Sequence, residues 1–188
     1  MHAGVASDAR VDITWIDGKR FERGDLDLEE LEGYDGIIVP GAFGEGGAEG
    51  VIEAIRYSRE NGIPFLGLCY GLQLAVVEYA RNVANIADAT SGEFDADSDY
   101  QVIAVQEAQK EVLGSSRYGA SMRLGAYAAV LKKDSRVLQL YEQTGRLNED
   151  RHRIDQLLSN PDEAFRVGHV MLERDKVVLE RHRHRYEV

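Results

Sequence analysis

Five residues, Gly67-Leu68-Cys69-Tyr70-Gly71, constrain this chain more than any others. Before them runs Ile63-Pro64-Phe65-Leu66-Gly67-Leu68, short and apolar, as a buried strand requires. After them Leu72, Ala75, Val76, Tyr79, Ala80 and Val83 recur at i, i+3, i+4, i+7, i+8 and i+11, which predicts a helix with one apolar face. A strand that turns into a helix across Gly-x-Cys-x-Gly is the thiol counterpart of a nucleophile elbow. The small residues two before and two after the cysteine let backbone approach backbone in a strained turn. The helix start offers unpaired N–H groups and a partial positive charge, which suit a thiolate, the reactive form of the sulfur. The Tyr70 N–H is expected to supply half of an oxyanion hole. A lone cysteine in an apolar segment is more often a small core residue. The elbow spacing and a second glycine-rich turn reverse that preference.

The second turn is Gly41-Ala42-Phe43-Gly44-Glu45-Gly46-Gly47, after the β-branched run Gly36-Ile37-Ile38-Val39-Pro40. The run predicts a strand buried on both faces of a parallel sheet. Val51, Ile52 and Ile55 then mark a helix closed by Asn61-Gly62. Strand, helix, strand, helix with short links argues for an α/β fold with a doubly wound open sheet. Ligands bind such sheets at the carboxyl ends of the strands, so both turns are expected on one edge. Elsewhere, Val11, Ile13 and Trp15 alternate with polar residues as in a half-buried strand. Tyr100–Val105 and Ser121–Leu131 read as strands, Asn148–Ser159 as a helix stopped by Pro161, and Val170–Leu179 as a hairpin turning at Arg174-Asp175-Lys176.

Charge and composition exclude other classes. The 188 residues hold 33 acidic against 22 basic side chains, a net charge of −11, which is unsuited to nucleic acid. No apolar run approaches a membrane span, and the first residues lack the basic and apolar blocks of a signal peptide, so a cytoplasmic protein is expected. One cysteine forms neither an internal disulfide nor a multi-thiolate metal site. His182 and His184 at i, i+2 lack an evident third ligand, so no metal is expected.

Four segments together resemble a class I glutamine amidotransferase, and more narrowly the glutaminase domain of CTP synthases. They are Pro40–Gly44, Ile63–Gln73, Ser121–Ala126 and Glu180–Val188, the last reading Glu-Arg-His-Arg-His-Arg-Tyr-Glu-Val. The second segment is common to many class I amidotransferases, and the last two carry the narrower likeness. The resemblance covers residues 1–188 apart from about 148–176, which looks like an insertion. It implies a flavodoxin-like amidotransferase fold, shortened at both ends, with the first strand and most of the first helix absent.

By position, the resemblance makes Cys69 the nucleophile that attacks the side-chain amide of L-glutamine, forms a thioester and releases ammonia. Gly41, Ala42, Phe43 and the Tyr70 N–H match the oxyanion and substrate loop. Gln73 and Glu93 match side chains that hold the α-amino and amide ends of glutamine, and Arg185 matches the arginine near its carboxylate. No cofactor is implied for this step. The implied partner is a separate synthetase domain, where ammonia aminates ATP-activated UTP to CTP with ATP, UTP and Mg²⁺.

The likeness has departures. The family's base is a histidine with a glutamate two residues later. Histidines stand here at 2, 152, 169, 182 and 184, and none has an acid at the second following position. The expected reading is a fragment, weak or inactive alone. Two alternatives remain: a non-catalytic relative that binds a partner, or a different class I amidotransferase. Ala42 stands where a second glycine is usual, which strains the loop if that position needs a positive φ. Tyr70 replaces a smaller aliphatic residue beside the nucleophile.

Overall fold

The computed structural model describes residues 2–105, 123–162, 164, 167 and 176–188. The chain divides into two compact units, Met1–Val105 with Tyr186–Val188, and Gln106–Arg185.

In the first unit a short helix, α1 (His2–Ala6), leads into an irregular stretch. The strand expected from the alternation of Val11, Ile13 and Trp15 is absent, and Trp15 is 83% exposed. Alternation fits a strand only where a neighbour completes its hydrogen bonds, and no described segment pairs with this one. A single-turn helix, α2 (Lys19–Glu22), and a 3₁₀ turn (Leu28–Gly33) precede β1 (Ile37–Val39). Helix α3 (Ala48–Asn61) follows, then β2 (Phe65–Gly67) and α4 (Tyr70–Asn82). The Glu22 carboxylate accepts from the N–H groups of Glu49 and Gly50, two orphan donors at the α3 start. Gly62 ends α3 in the left-handed conformation, as the Asn-Gly pair predicts.

Strands β1 and β2 pair in parallel, Ile37 with Phe65 and Val39 with Gly67. Helices α3 and α4 share one core: Ala48, Ile52, Ile55, Tyr70, Leu74, Val77 and Ile103 are buried, with Phe65 packed against them. The opposite face is open, with Ile38 63% and Leu66 51% exposed. Burial on both faces, expected from the apolar runs, is therefore not found among the described residues, because both crossover helices lie with this one core.

Helix α4 also buries a different stripe from the one its apolar pattern suggests. Leu74, Val77, Glu78 and Ala80 face inward, while Leu72 and Tyr79 are exposed. The helix is apolar nearly all round, so periodicity alone cannot choose the face. Glu78 settles it: the carboxylate, 1% exposed, is held by Arg59 of α3 at 2.7 and 3.1 Å. Strands β3 (Thr90–Ser91), β4 (Gln101–Val105) and β7 (Tyr186–Glu187) form a second small sheet, β4 central.

The second unit is built on an antiparallel pair, β5 (Arg123–Val130) with β6 (Val177–His184), in register from Val130↔Val177 to Arg123↔His184. Strand β5 matches the expected Ser121–Leu131, of which residues 121 and 122 lie outside the described set. Residues 168–175 lie outside it too, and with them the first arm of the hairpin expected over 170–179 and residues 174 and 175 of its turn; the described residues from Val177 on pair with β5. Helix α5 (Arg136–Gln143) escapes the sequence pattern, although Ser135 caps it by accepting the Leu138 N–H. Helix α6 (Arg146–Ser159) starts two residues before the predicted helix. Leu138 of α5 and Leu147 pack with Val178, while Ile154 of α6 packs with Val177 and Leu179. Successive residues of β6 thus bury opposite faces of the strand.

Candidate active site

Cys69 sits between β2 and α4 as the N-cap residue, exposed, with φ 55° and ψ −105°. This is the bend the Gly-x-Cys-x-Gly spacing predicts, and one that L-residues seldom adopt. The flanking glycines are required by close approach. A Cβ on Gly71 would lie 2.3 Å from the Val39 carbonyl oxygen, and one on Gly67 would lie 2.6 Å from the Gly71 carbonyl. The Leu68 N–H donates to the same Val39 oxygen at 2.9 Å, so the end of β1 braces the bend.

The Pro40–Gly44 turn lies beside the cysteine. A Cβ placed on Gly41 would fall 3.6 Å from the Cys69 Cβ. Ala42 does not take a positive φ, so the strain feared for that position does not arise. Phe43 is 80% exposed. Gly44, at φ +83°, fixes the end of the turn through both of its polar groups. Its N–H donates to Glu93 Oε1 at 2.8 Å, and its carbonyl accepts from the Tyr70 hydroxyl at 2.6 Å.

Tyr70 is 6% exposed, and its ring meets Phe94 edge-on at 6.2 Å between centroids. Burial, and after it the carboxylates of Glu93, Glu22, Glu45 and Glu49, push its phenol up to about 12. Glu93 follows β3, and its own N–H donates to Ser91 Oγ at 3.2 Å. Gln73, one turn into α4, is half-buried and donates Nε2 to the Tyr186 carbonyl at 2.8 Å.

The first unit therefore brings together Gly41, Cys69, Tyr70 and Glu93, and it places Gln73 on the helix that Cys69 begins. Arg185 belongs to the second unit, half-buried, next after His184 of β6. On β6, Arg181 and Arg183 are exposed and His182 and His184 half-buried, which is the alternation the sequence predicts. The rings of His182 and His184 lie 5.0 Å apart. Among the described residues no group of three or more His, Cys, Asp or Glu is placed to hold a metal ion. No described helix is long and apolar enough to cross a membrane. Sequence reasoning named the Pro40–Gly44 turn but missed the contacts of Gly44, the Ser91 hydroxyl under Glu93 and the reach of the Tyr70 hydroxyl. The only signal for the last was the unusual tyrosine beside the cysteine.

Comparison with known proteins places this geometry. The family model for glutamine amidotransferase class-I matches residues 1–188. The CTP synthase of Methanopyrus kandleri is 42% identical over 189 residues, covering 100% of this chain and 29% of that protein. The CTP synthase of Geotalea uraniireducens is 46% identical over 154 residues, covering 82% of this chain and 28% of that protein. A solved structure of the Trypanosoma brucei CTPS glutaminase domain with bound acivicin matches with a TM-score of 0.73 and 32% identity, over 100% of this chain and 58% of that one. The chain spans less than a third of the length of these CTP synthases. Its open α/β elbow, its glycine turn and the match over the whole sequence agree: this chain belongs to the class-I glutamine amidotransferase family.

Proposed function

We propose that this chain is the glutamine-hydrolysing part of a CTP synthase, with Cys69 as its nucleophile. One observation carries the reading: an exposed sulfur-bearing residue held at positive φ beside the Gly41 turn. The Cys69 thiolate attacks the carboxamide carbon of L-glutamine, and the C–S bond forms as the carbonyl π electrons move to oxygen. N–H groups of the Gly41–Ala42 turn and of Tyr70 receive that oxyanion. The C–N bond then breaks, the nitrogen takes a proton and leaves as ammonia, and water later cleaves the thioester to glutamate.

Glu93 suits the α-ammonium of the substrate, because Glu22, Glu45 and Glu49 add to the negative potential near Tyr70. Gln73 has its Nε2 on the Tyr186 carbonyl, so its Oε1 is the atom for the substrate. Arg185 is assigned to the substrate carboxylate, which guanidinium grips with two parallel bonds. ATP, UTP and Mg²⁺, and the amination they support, belong to a synthetase partner outside these residues.

The proton carrier of the family is a histidine followed two residues later by a glutamate, and none of the five histidines here fits. The chain alone is expected to hydrolyse glutamine at a rate lower by about 10² to 10⁴ than a longer form carrying that pair. The test compares glutamate release by the two forms, and CTP formation by the longer one given UTP, ATP and glutamine. Equal glutaminase rates would show that the base has been misassigned. No CTP would exclude the narrow reading.

A further inference from the structure

The turn that faces Cys69 is secured at one residue, and half of the grip comes from the nucleophile's neighbour. Gly44 donates to Glu93 and accepts from the Tyr70 hydroxyl, at 2.8 and 2.6 Å. The Tyr70 ring cannot swing away from this contact. It is 6% exposed, belongs to the core with Leu74 and Val77, and is buttressed by Phe94. Its hydroxyl therefore works from a fixed point one residue from Cys69. The other end of the turn, Gly41, lies against Cys69 itself.

We infer that the Tyr70 phenol is a positioning residue for the amidotransferase reaction: by holding the Gly44 carbonyl it sets the distance between the donors of the Pro40–Gly44 turn and the Cys69 sulfur. This role is separate from that of the Tyr70 backbone N–H, which any residue but proline would provide. It rests on the reading of Cys69 as the glutaminase nucleophile. The geometry also ties ligand binding to the turn. The carboxylate proposed for the substrate ammonium is the one that receives the Gly44 N–H, so a substrate that draws on Glu93 draws on the turn as well. The phenol keeps its proton up to about pH 12, so the clamp stays closed over the ordinary pH range.

The substitution Tyr70→Phe removes only the hydroxyl and leaves the ring in the core. The 188-residue chain and this variant are labelled at Cys69 with a chloroketone analogue of glutamine, and in parallel with iodoacetamide. The chloroketone passes through a tetrahedral oxyanion and uses the turn, whereas iodoacetamide reports the sulfur alone. Loss of one hydrogen bond predicts a fall of about three- to tenfold in the maximal rate of inactivation by the chloroketone, with its half-saturating concentration nearly unchanged. Iodoacetamide labelling should stay within about twofold. Unchanged chloroketone kinetics in Tyr70→Phe would overturn the inference. So would an equal slowing with both reagents, which marks a merely structural role. Labelling of the unsubstituted chain that neither saturates nor is blocked by glutamine would overturn the glutaminase reading itself, and the positioning role with it.

Discussion

Asp150 of α6, which has no exposed surface, accepts the backbone N–H of Leu179 in β6 at 3.0 Å. Arg146 binds the same carboxylate at 2.9 Å and donates to the Leu179 carbonyl at 3.1 Å, and Arg153 reaches the other carboxylate oxygen at 3.3 Å. A strand edge that would otherwise offer unpaired groups is thus capped by side chains of one helix. Asp150→Ala leaves a buried N–H without an acceptor and is expected to cost about 2–3 kcal/mol. Asp150→Asn keeps an oxygen for that N–H and should lose less. Denaturant unfolding of both variants, with hydrogen exchange at the Leu179 amide, checks the order. Equal losses would show that the charge, and not the acceptor, matters.

Removing either partner of the Arg59–Glu78 pair should have unequal effects. Glu78 is almost sealed, whereas the Arg59 side chain is 35% exposed. Arg59→Ala leaves the buried carboxylate without its cation, with the Asn82 amide still donating to it at 3.2 Å, at a cost of about 3 kcal/mol. Glu78→Gln leaves an arginine that reaches water and should cost clearly less. Urea midpoints of the two variants decide between this and a symmetric loss.

The bend at the cysteine tolerates no added carbon behind it. Gly71→Ala drives a methyl into the Val39 carbonyl. A loss of about 1–3 kcal/mol or more is expected, with chloroketone labelling of Cys69 slowed as the bend shifts. Gly62→Ala is the control, since a Cβ there meets nothing within 4 Å and only the left-handed φ is penalised, by about 1 kcal/mol. A thermal melt that ranks Gly62→Ala as the worse of the two would contradict the close-approach argument.

Alkaline pH offers a stability signature for Tyr70. Its folded pKa is raised, to about 12, against an ordinary value of 10.0. Below pH 10 the phenol is protonated in both states, and its contribution is fully present. Between 10 and 12 the unfolded chain releases the proton while the folded one keeps it, so stability falls as pH rises. The loss amounts to about 3 kcal/mol once pH exceeds the folded value. Comparing the chain with Tyr70→Phe between pH 9 and 12 should show the gap between their unfolding free energies narrowing. A constant gap would mean that the phenol is not held in its neutral form.

The elbow and the glycine turn were readable in the sequence because steric demands specify them: a bend that only small neighbours permit, next to two periodic segments. Helix α3 and its Gly62 stop followed from local capping chemistry. The buried face of α4 was not readable, since Glu78 faces inward only because Arg59, 19 residues earlier, meets it there. The failed strand at Val11–Trp15 has the same origin, for alternation speaks to the residue and not to a pairing strand, and no described segment pairs with it. Helix α5 was overlooked although Ser135 announces its start. At the candidate site, the sequence named Cys69, Gly41, Tyr70, Glu93 and Gln73, and the first unit holds Gly41 against Cys69 and Glu93 on Gly44. The clamp on Gly44 was not readable, because a tyrosine hydroxyl reaching a backbone carbonyl 26 residues away leaves no local pattern.

Cys69 adopts a backbone conformation that costs on the order of 1–3 kcal/mol for a residue with a side chain. A domain has only about 5–15 kcal/mol in all. Glycine at this position would relax the bend and delete the thiol together. Selection for heat resistance alone would therefore drift toward Cys69→Gly, and every such survivor would be a sturdier protein without the thiol proposed as its nucleophile. Robustness and reactivity compete at a single backbone torsion.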